Sequence, residues 1–356
     1  MDLLNVHNLN VSFQLKQGDL AALIDISFSL KKGERIAFVG ESGAGKSILG
    51  FSIVNLISRP GYIKSGSIKL NGNELIHLSN RQMRHIRGKR IAMIFQDPMM
   101  TLNPVLTIGE QMVEAIRSHT DLRVREAKQL AIETLFQVHI ASPENRFDQY
   151  PHELSGGMRQ RVIIAIALLL TPDIIIADEP TTALDVTIQA EILELLKQIC
   201  DDNNVALILI SHDLGVVSRV AERTIVMYAG RIVEQGPTIE IINDPQHPYT
   251  QGLLNALPQM SLPGQRLNQI HGTMPSLLDR PSGCAFHARC PYVMEKCKQS
   301  HPDALYNGVS HVACFMVEDM LEEFNNDSND LYLESELDDT ADNHSEAQSQ
   351  ARGHKE

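Results

Sequence analysis

The stretch RIAFVGESGAGKS, from Arg35 to Ser47, constrains the fold more than any other part of the sequence. A short apolar run leads into a glycine-rich turn, and a second apolar stretch follows it. Gly43 and Gly45 carry no Cβ, so successive backbone N–H groups can turn inward around a phosphate. The start of a following helix would add its partial positive charge. The spacing GxxxxGK[ST] therefore predicts a strand, a phosphate-binding loop and a helix.

Two side chains at the end of this turn suit nucleotide chemistry. Lys46 supplies a mobile positive charge for β- and γ-phosphates, and the Ser47 hydroxyl can ligate Mg²⁺. So loose a pattern also arises by chance, so the interpretation depends on what accompanies it. The predicted loop consists of Gly40, Glu41, Ser42, Gly43, Ala44, Gly45, Lys46 and Ser47.

Two further apolar strands deliver polar side chains. DIIIADEP, residues 173–180, ends in Asp178 and Glu179. Asp178 would hold Mg²⁺ through water, and Glu179 is placed to polarise an attacking water. VALILISHD, residues 205–213, delivers His212 one crossover helix later; a lone histidine after a strand is more often structural than catalytic. Because the carboxyl ends of parallel strands meet at one sheet edge, we expect all three side chains to face the phosphate loop.

Charge and hydropathy exclude several classes of protein. Most of the net charge of −13 falls in residues 318–356, where 13 acidic residues accompany Arg352 and Lys355. The near-neutral remainder offers no electrostatic footprint for nucleic acid, and we expect the acidic tail to be disordered. The first ten residues do not resemble a secretory signal. The longest apolar run has nine residues, Val162–Leu170, whereas a membrane-spanning helix needs about 20. A cytosolic or peripheral protein is expected.

Two more motifs complete an ordered set. LSGGMRQR, residues 154–161, precedes the Asp178 strand, and FQDP supplies Gln96. With the phosphate loop, the two carboxylates, TALD at 182–185 and His212, this order resembles the ATP-binding subunits of ABC transporters over residues 1–258. The resemblance implies an α/β P-loop NTPase (RecA-like) fold with an antiparallel β subdomain near the N-terminus and a helical subdomain at about 107–170.

The resemblance also implies catalytic roles. Glu179 would be the general base, and His212 would bracket the γ-phosphate and the water. Gln96 would reach Mg²⁺ or the γ-phosphate, so Ser47, Gln96 and Asp178 form the expected magnesium site. Phe13 matches the aromatic that stacks on adenine, although a buried strand phenylalanine is a nearly equal alternative.

ABC ATPases work as head-to-tail pairs, and the resemblance assigns residues to that interface. Ser155, Gly156 and Gly157 would cap the ATP held by a partner's phosphate loop, again through N–H groups at a helix start. Asp185 should lie across the same interface. The segment DPMMTLNP after Gln96 would form a groove for a cytoplasmic permease helix, or alternatively an internal connector.

The C-terminal part resembles one branch of these transporters. NDPQHPYTQGLLNALP at 243–258 and GCAFHARC at 283–290 are similar to dipeptide and oligopeptide importers. That branch implies ATP-driven peptide import at the cytoplasmic face of the inner membrane. It also implies two permease subunits, a second ATP-binding subunit that is a paralogue, and an extracytoplasmic peptide-binding protein.

Other functions and the domain limits follow from the same comparison. Import of nickel, glycosides or antimicrobial peptides by a relative of the branch is the alternative within transport. A non-transport ABC ATPase in DNA repair is disfavoured, because the 107 residues between Lys46 and Leu154 leave no room for a long coiled coil. One in translation is disfavoured because that type usually has two ATPase cassettes in one chain, and this sequence has one. We expect an ATPase domain at 1–258, a C-terminal extension at 259–317 and the acidic tail at 318–356.

Four of the five cysteines lie in the extension, with the spacing Cys284-x5-Cys290-x6-Cys297-x16-Cys314. Disulfides are improbable in a reducing cytosol, and free thiols have no reason to gather. Four thiolates suit zinc, with His287 offering a Cys₃His variant, and they also suit an iron–sulfur cluster. The resemblance to peptide-branch members that carry a 4Fe-4S cluster favours the cluster over zinc.

Overall fold

The N-terminal region folds as an antiparallel sheet, as the resemblance implied. The structure is a computed structural model that describes residues 2–16, 18–182, 184–257 and 269–321. The strands of this first sheet are β1 (Leu4–Leu15), β2 (Gly18–Leu30), β4 (Gly61–Leu70) and β5 (Asn73–Glu74). They lie in the order β2-β1-β4-β5, with every neighbouring pair antiparallel.

The second sheet contains the strands that the motifs predicted. Its members are β3 (Arg35–Val39), β6 (Ile91–Ile94), β7 (Ile174–Asp178), β8 (Ala206–Ser211), β9 (Arg223–Tyr228), β10 (Arg231–Pro237), β11 (Leu305–Tyr306) and β12 (His311–Val312). They lie in the order β11-β12-β10-β9-β3-β8-β7-β6. The five strands from β9 to β6 are parallel, and β10, β12 and β11 extend the sheet in antiparallel fashion.

The parallel register brings the predicted site residues to one edge. β7 and β8 are buried along their whole length, as expected for parallel strands covered on both faces. Val39 lies opposite Ser211, and Asp178 lies opposite Ile210. The residues that follow these strands therefore emerge beside one another, which is where open α/β sheets bind ligands.

Helices cover both faces of the second sheet. The helices of the described residues are α1 (Lys46–Ile53), α2 (Asn80–Arg84), α3 (Pro98–Thr101), α4 (Ile108–Arg117), α5 (Val124–Gln137), α6 (Pro143–Phe147), α7 (Gly156–Leu168), α8 (Val186–Asn203), α9 (Leu214–Val220), α10 (Thr238–Asn243), α11 (Pro248–Asn255) and α12 (Glu295–Gln299). α1 packs on one face of the sheet, and α7, α8 and α9 pack on the other. The predicted helical segment at 107–170 corresponds to α4–α7: Thr107 caps α4 in a capping box, and α7 ends at Leu168. Their apolar sides share one core with α8 and the sheet.

The C-terminal extension packs on the ATPase part of the chain rather than standing apart from it. β12 pairs with β10, and Ala285 and Phe286 enter a core with Tyr228 and Tyr249. The predictions for residues 258–268 and 322–356, which include most of the acidic tail, fall outside the described residues. Within the described ranges, none of the helices is long and apolar enough to cross a bilayer.

Candidate functional site

The loop between β3 and α1 has the backbone that a phosphate cradle requires. Gly43 and Gly45 have φ angles of 86° and 103°, in the region that side chains disfavour. A Cβ on Gly45 would stand 2.8 Å from the Leu23 side chain, so this position is closed to larger residues. α1 then begins at Lys46, which directs the N-terminal end of its backbone dipole at the loop.

Lys46 lies buried inside this loop. Its side chain and backbone are 4% exposed, and Nζ donates to the carbonyl oxygens of Gly40 at 2.7 Å and Glu41 at 3.0 Å. Burial lowers the pKa of Lys46, and the nearby carboxylates of Glu179, Asp178 and Glu41 oppose that shift. The lysine amine is therefore held at the centre of the loop, where phosphate oxygens would bind.

Ser47 and Asp178 meet although 131 residues separate them. The Ser47 Oγ donates to Asp178 Oδ1 at 3.0 Å, and Asp178 is buried at the end of β7. Burial raises the pKa of Asp178, while the Ser47 hydrogen bond and the Lys46 charge lower it. A hydroxyl and a carboxylate side by side form the kind of oxygen-donor pair that Mg²⁺ prefers.

Glu179 gathers the remaining polar side chains of the site. Its Oε2 accepts hydrogen bonds from Gln96 Nε2 at 3.0 Å and from Thr182 Oγ1 at 3.0 Å. Its Oε1 lies 3.2 Å from Nδ1 of His212. Glu179 has a φ angle of 44°, a strained conformation for a non-glycine residue, and its N–H donates to the Ile210 carbonyl at 2.9 Å. The strain turns the carboxylate away from the end of β7 and towards His212.

Together these groups can bind a phosphate chain and activate water. The loop supplies N–H donors and a lysine, Ser47 and Asp178 supply metal-binding oxygens, and Glu179 supplies a carboxylate held between Gln96 and His212. This is the set of parts that phosphoryl transfer to water uses.

The predicted partner-facing residues lie at the starts of two other helices. Ser155 is the N-cap of α7, and its Oγ accepts from the Met158 N–H at 3.4 Å; Asp185 is the N-cap of α8. Ser155, Gly156 and Asp185 are exposed, while Gly157 faces Ile188 of α8. The two helix starts therefore form one exposed surface.

Phe13 lies on β1 in the antiparallel sheet. It is half-buried, and it packs against Gly61 of β4, where a Cβ would stand 2.8 Å from the phenylalanine ring. The ring is therefore neither a core residue nor fully exposed.

Three contacts of the site had no signal in the sequence. Thr182 binds Glu179, Tyr249 accepts a hydrogen bond of 2.8 Å from the Glu41 N–H, and Arg289 forms a salt bridge with Glu41. Thr182 is the first residue of TALD, but the motif alone does not indicate its contact with Glu179. Tyr249 and Arg289 lie more than 200 residues from Glu41, and no motif spacing links them.

A groove opens beside Gln96, between the sheet edge and the helical segment. It has a volume of about 550 Å³ and is lined by Met93, Phe95, Leu102, Leu106, Gln111 and Ile163, among others. Its lining is mainly apolar, with polar side chains at intervals. Thr101, Leu102 and Asn103 of the segment DPMMTLNP form part of its wall.

The four cysteines of the extension line one small cavity together with His287. All five cysteines of the chain are free thiols, and burial raises the pKa of Cys284 to about 11. Across residues 2–16, 18–182, 184–257 and 269–321, however, three or more His, Cys, Asp or Glu side chains are nowhere arranged to hold a metal ion. Nδ1 of His287 is hydrogen-bonded to the Cys284 carbonyl at 2.9 Å. The expected zinc or iron–sulfur site at Cys284, Cys290, Cys297 and Cys314 is therefore not formed in this geometry.

Comparison with known proteins gives consistent results. The sequence profile of ABC transporters matches residues 23–182, and that of the oligopeptide/dipeptide transporter C-terminal region matches residues 233–297. The chain is 48% identical over 317 residues to the dipeptide transport ATP-binding protein of Bacillus subtilis, covering 88% of this chain and 94% of the relative. It is 47% identical over 319 residues to an oligopeptide transport ATP-binding protein of the same organism, covering 89% and 97%. The fold matches a bacterial ABC transporter cassette solved as a dimer, with a TM-score of 0.59, 27% identity, and 66% and 98% of the two chains covered.

Proposed function

The chain belongs to the ATP-binding proteins of ABC transporters that import dipeptides and oligopeptides, and from this premise we propose how its residues divide the work. It is an ATPase, and ATP hydrolysis powers peptide import. The observation that carries the assignment of roles is the cluster of Gln96, Thr182 and His212 around Glu179, next to the Ser47–Asp178 pair.

Nucleotide binding is assigned to the loop and its lysine. The N–H groups of the phosphate loop other than that of Glu41, which donates to Tyr249, would surround the β- and γ-phosphates, and Lys46 would exchange its bonds to loop carbonyls for bonds to phosphate oxygens. Phe13 would stack on adenine from β1. Ser47, Asp178 and Gln96 would hold Mg²⁺, whose charge offsets the negative charge that develops on the phosphate oxygens. The fit rests on the 3.0 Å contact between two oxygen donors, Ser47 and Asp178.

Hydrolysis is assigned to Glu179 as the general base. Its carboxylate would accept a proton from the attacking water, and a base within hydrogen-bond reach of its water is the geometric requirement. His212 and Gln96 each contact one carboxylate oxygen, so they would fix its direction. Asp178, one residue earlier, is committed to Ser47 and would not compete for the water.

A second ATP-binding subunit would complete the site. Ser155, Gly156 and Gly157 would cap ATP bound by that partner, and Asp185 would lie in the same interface. The exposure of the two helix starts supports this, as does Val186, an apolar side chain 83% exposed at the first position of α8. Partners in peptide importers would be paralogues, so we propose a heterodimer.

The groove beside Gln96 would receive a cytoplasmic helix from a permease subunit. Phe95 and Met93 line its floor next to Gln96, so a docked helix would adjoin the catalytic carboxylate through one side chain. Two permease subunits and an extracytoplasmic peptide-binding protein would complete the complex, and the chain would sit on the cytoplasmic face of the inner membrane. No nucleic acid takes part.

The cysteine cavity would hold a 4Fe-4S cluster, with zinc as the alternative, once its thiols move from the described geometry, which forms no metal site among the described residues. Cys284, Cys290, Cys297 and Cys314 line one cavity, and thiolates are suitable ligands for both. We propose a structural or regulatory role for this group. We also propose the domain limits at residues 258 and 317, from the resemblance to peptide importers.

Peptide uptake in cells that lack the native subunit tests this function. Wild-type chain should restore uptake of a labelled dipeptide or oligopeptide. Lys46→Ala should not, because nucleotide affinity is lost, whereas the exposed Lys69→Ala should behave as wild type. Restored uptake of nickel or a glycoside without peptide uptake would overturn the substrate assignment. Unchanged nucleotide affinity in Lys46→Ala would overturn the phosphate loop.

A further inference from the structure

A two-pronged salt bridge joins the C-terminal extension to the phosphate loop. Arg289 Nη1 lies 2.6 Å from Glu41 Oε2, and Arg289 Nη2 lies 2.9 Å from Glu41 Oε1. The Arg289 side chain is 5% exposed and that of Glu41 31% exposed. Bidentate pairs of this kind are the strongest of the charge-assisted hydrogen bonds. Arg289 and Glu41 are 248 residues apart in the sequence, so the salt bridge links the C-terminal extension to the ATPase part of the chain.

Arg289 is itself held in place from several sides. Its Nε donates to the His271 carbonyl at 2.9 Å and its Nη2 to the Ile270 carbonyl at 3.3 Å. Nη1 lies 3.4 Å from the Tyr228 hydroxyl, and the guanidinium stands over the Tyr228 ring. Hydrogen bonding to Glu41 raises the pKa of Arg289, so the charge is permanent. Because all three guanidinium nitrogens are hydrogen-bonded, the guanidinium is held in one orientation.

Glu41 connects Arg289 to the nucleotide site. It is the second residue of the phosphate loop, and its own carbonyl accepts the hydrogen bond from Lys46 Nζ at 3.0 Å. Its N–H donates to the Tyr249 hydroxyl at 2.8 Å. Side chain, N–H and carbonyl of one loop residue are thus each fixed by a different partner. A second contact from the extension, Met274, lies 3.9 Å from where a Cβ on Gly43 would stand.

We propose that Arg289 is a positioning residue for the ATP site, so that docking of the C-terminal extension sets the nucleotide affinity of the phosphate loop. The proposal rests on the ATP-binding function and adds a determinant that lies outside the ATPase motifs. Arg289 touches neither nucleotide nor water; it acts through Glu41. Cys290 directly follows Arg289, so a group bound by Cys290 in the cysteine cavity would lie one residue from the Arg289–Glu41 salt bridge.

The test is a double-mutant cycle on the full chain, with a fluorescent ATP analogue and Mg²⁺ as the probe. Arg289→Gln and Glu41→Gln should each weaken binding by about tenfold, and the double variant should be no weaker than the worse single variant, since both remove one interaction. Arg289→Lys keeps the positive charge but cannot form the bidentate contact, so its affinity for the ATP analogue should lie between those of wild type and Arg289→Gln. Lys298→Gln is the matched control, because Lys298 and Glu295 form an exposed salt bridge in the same extension.

A second readout separates positioning from stability. In the assembled transporter, Arg289→Gln should raise the KM for ATP by a similar factor and change kcat less than twofold. Affinities within twofold of wild type, or additive losses in the double variant, would overturn the proposal. Glu41→Gln leaves the extension intact and carries the test if Arg289→Gln does not fold. Wild-type binding in the same titration keeps this outcome distinct from a failure of the ATP site itself.

Discussion

Gln96 donates a 3.0 Å hydrogen bond from its Nε2 to Oε2 of Glu179, across 83 residues of sequence. Gln96 directly follows Phe95, which lines the proposed permease groove and stacks on Phe51. One amide side chain therefore touches the carboxylate proposed as the general base, while its neighbour lines the proposed permease groove. A movement in the groove would reach the carboxylate through a single residue.

Glu179→Gln should preserve ATP binding and slow hydrolysis by roughly 10²–10⁴-fold, because the amide cannot accept the proton from water. Steady-state phosphate release by the assembled transporter measures the rate, and a nucleotide titration measures the binding. Glu194→Gln, an exposed residue of α8, is the matched control. Hydrolysis within twofold of wild type would remove Glu179 from the role of general base.

Gln96→Ala should lower the peptide-stimulated ATPase rate by about tenfold, or about 1.4 kcal/mol of transition-state stabilisation. The substitution removes the Gln96 amide that donates to Glu179 Oε2. The same amide is the proposed connection between the groove and the Glu179 carboxylate. ATP affinity should stay within twofold, since Lys46 and the loop are untouched. The exposed Gln129→Ala on α5 serves as the control. A normal stimulated rate would show that the groove acts through another path.

Ser155→Arg should leave ATP binding by the isolated subunit unchanged and reduce hydrolysis by the assembled transporter at least about tenfold. An arginine at the exposed start of α7 would occupy the space into which a partner's γ-phosphate must fit. Ser218→Arg, also exposed but at α9, is the control. Loss of ATP binding in the isolated subunit would instead place Ser155 in the chain's own site.

The parts of the fold that sequence could predict are those encoded by contiguous residues. β3, α1 and β7 follow from apolar runs and a glycine spacing, because buried parallel strands and positive φ angles restrict residue type locally. The edge on which Glu179 and His212 meet follows from parallel pairing alone.

The remaining contacts depend on tertiary packing. β12 has two residues and no periodicity, so nothing in the sequence announces that it extends the main sheet beside β10. The salt bridge between Arg289 and Glu41 could not be predicted from the sequence either, because an arginine that precedes a cysteine can equally well be solvent-exposed. The four cysteines line one cavity, but the described geometry does not form the metal site that the sequence predicted there.

Anaerobically purified chain should contain about four irons and four acid-labile sulfides, with a broad visible absorption band, and Cys290→Ser should remove most of both. The reason is that Cys290 lines the cavity with three other cysteines, and a serine oxygen is a poorer ligand for iron. Cys200→Ala is the matched control, because Cys200 is a buried residue of α8 whose pKa burial raises to about 12, so it stays a protonated core thiol. One zinc per chain without sulfide would assign the cavity to zinc, and no metal in either preparation would leave the four thiols as packing residues. In both of those cases the ATPase cycle described above would be unaffected, because no step of it passes through the cysteines.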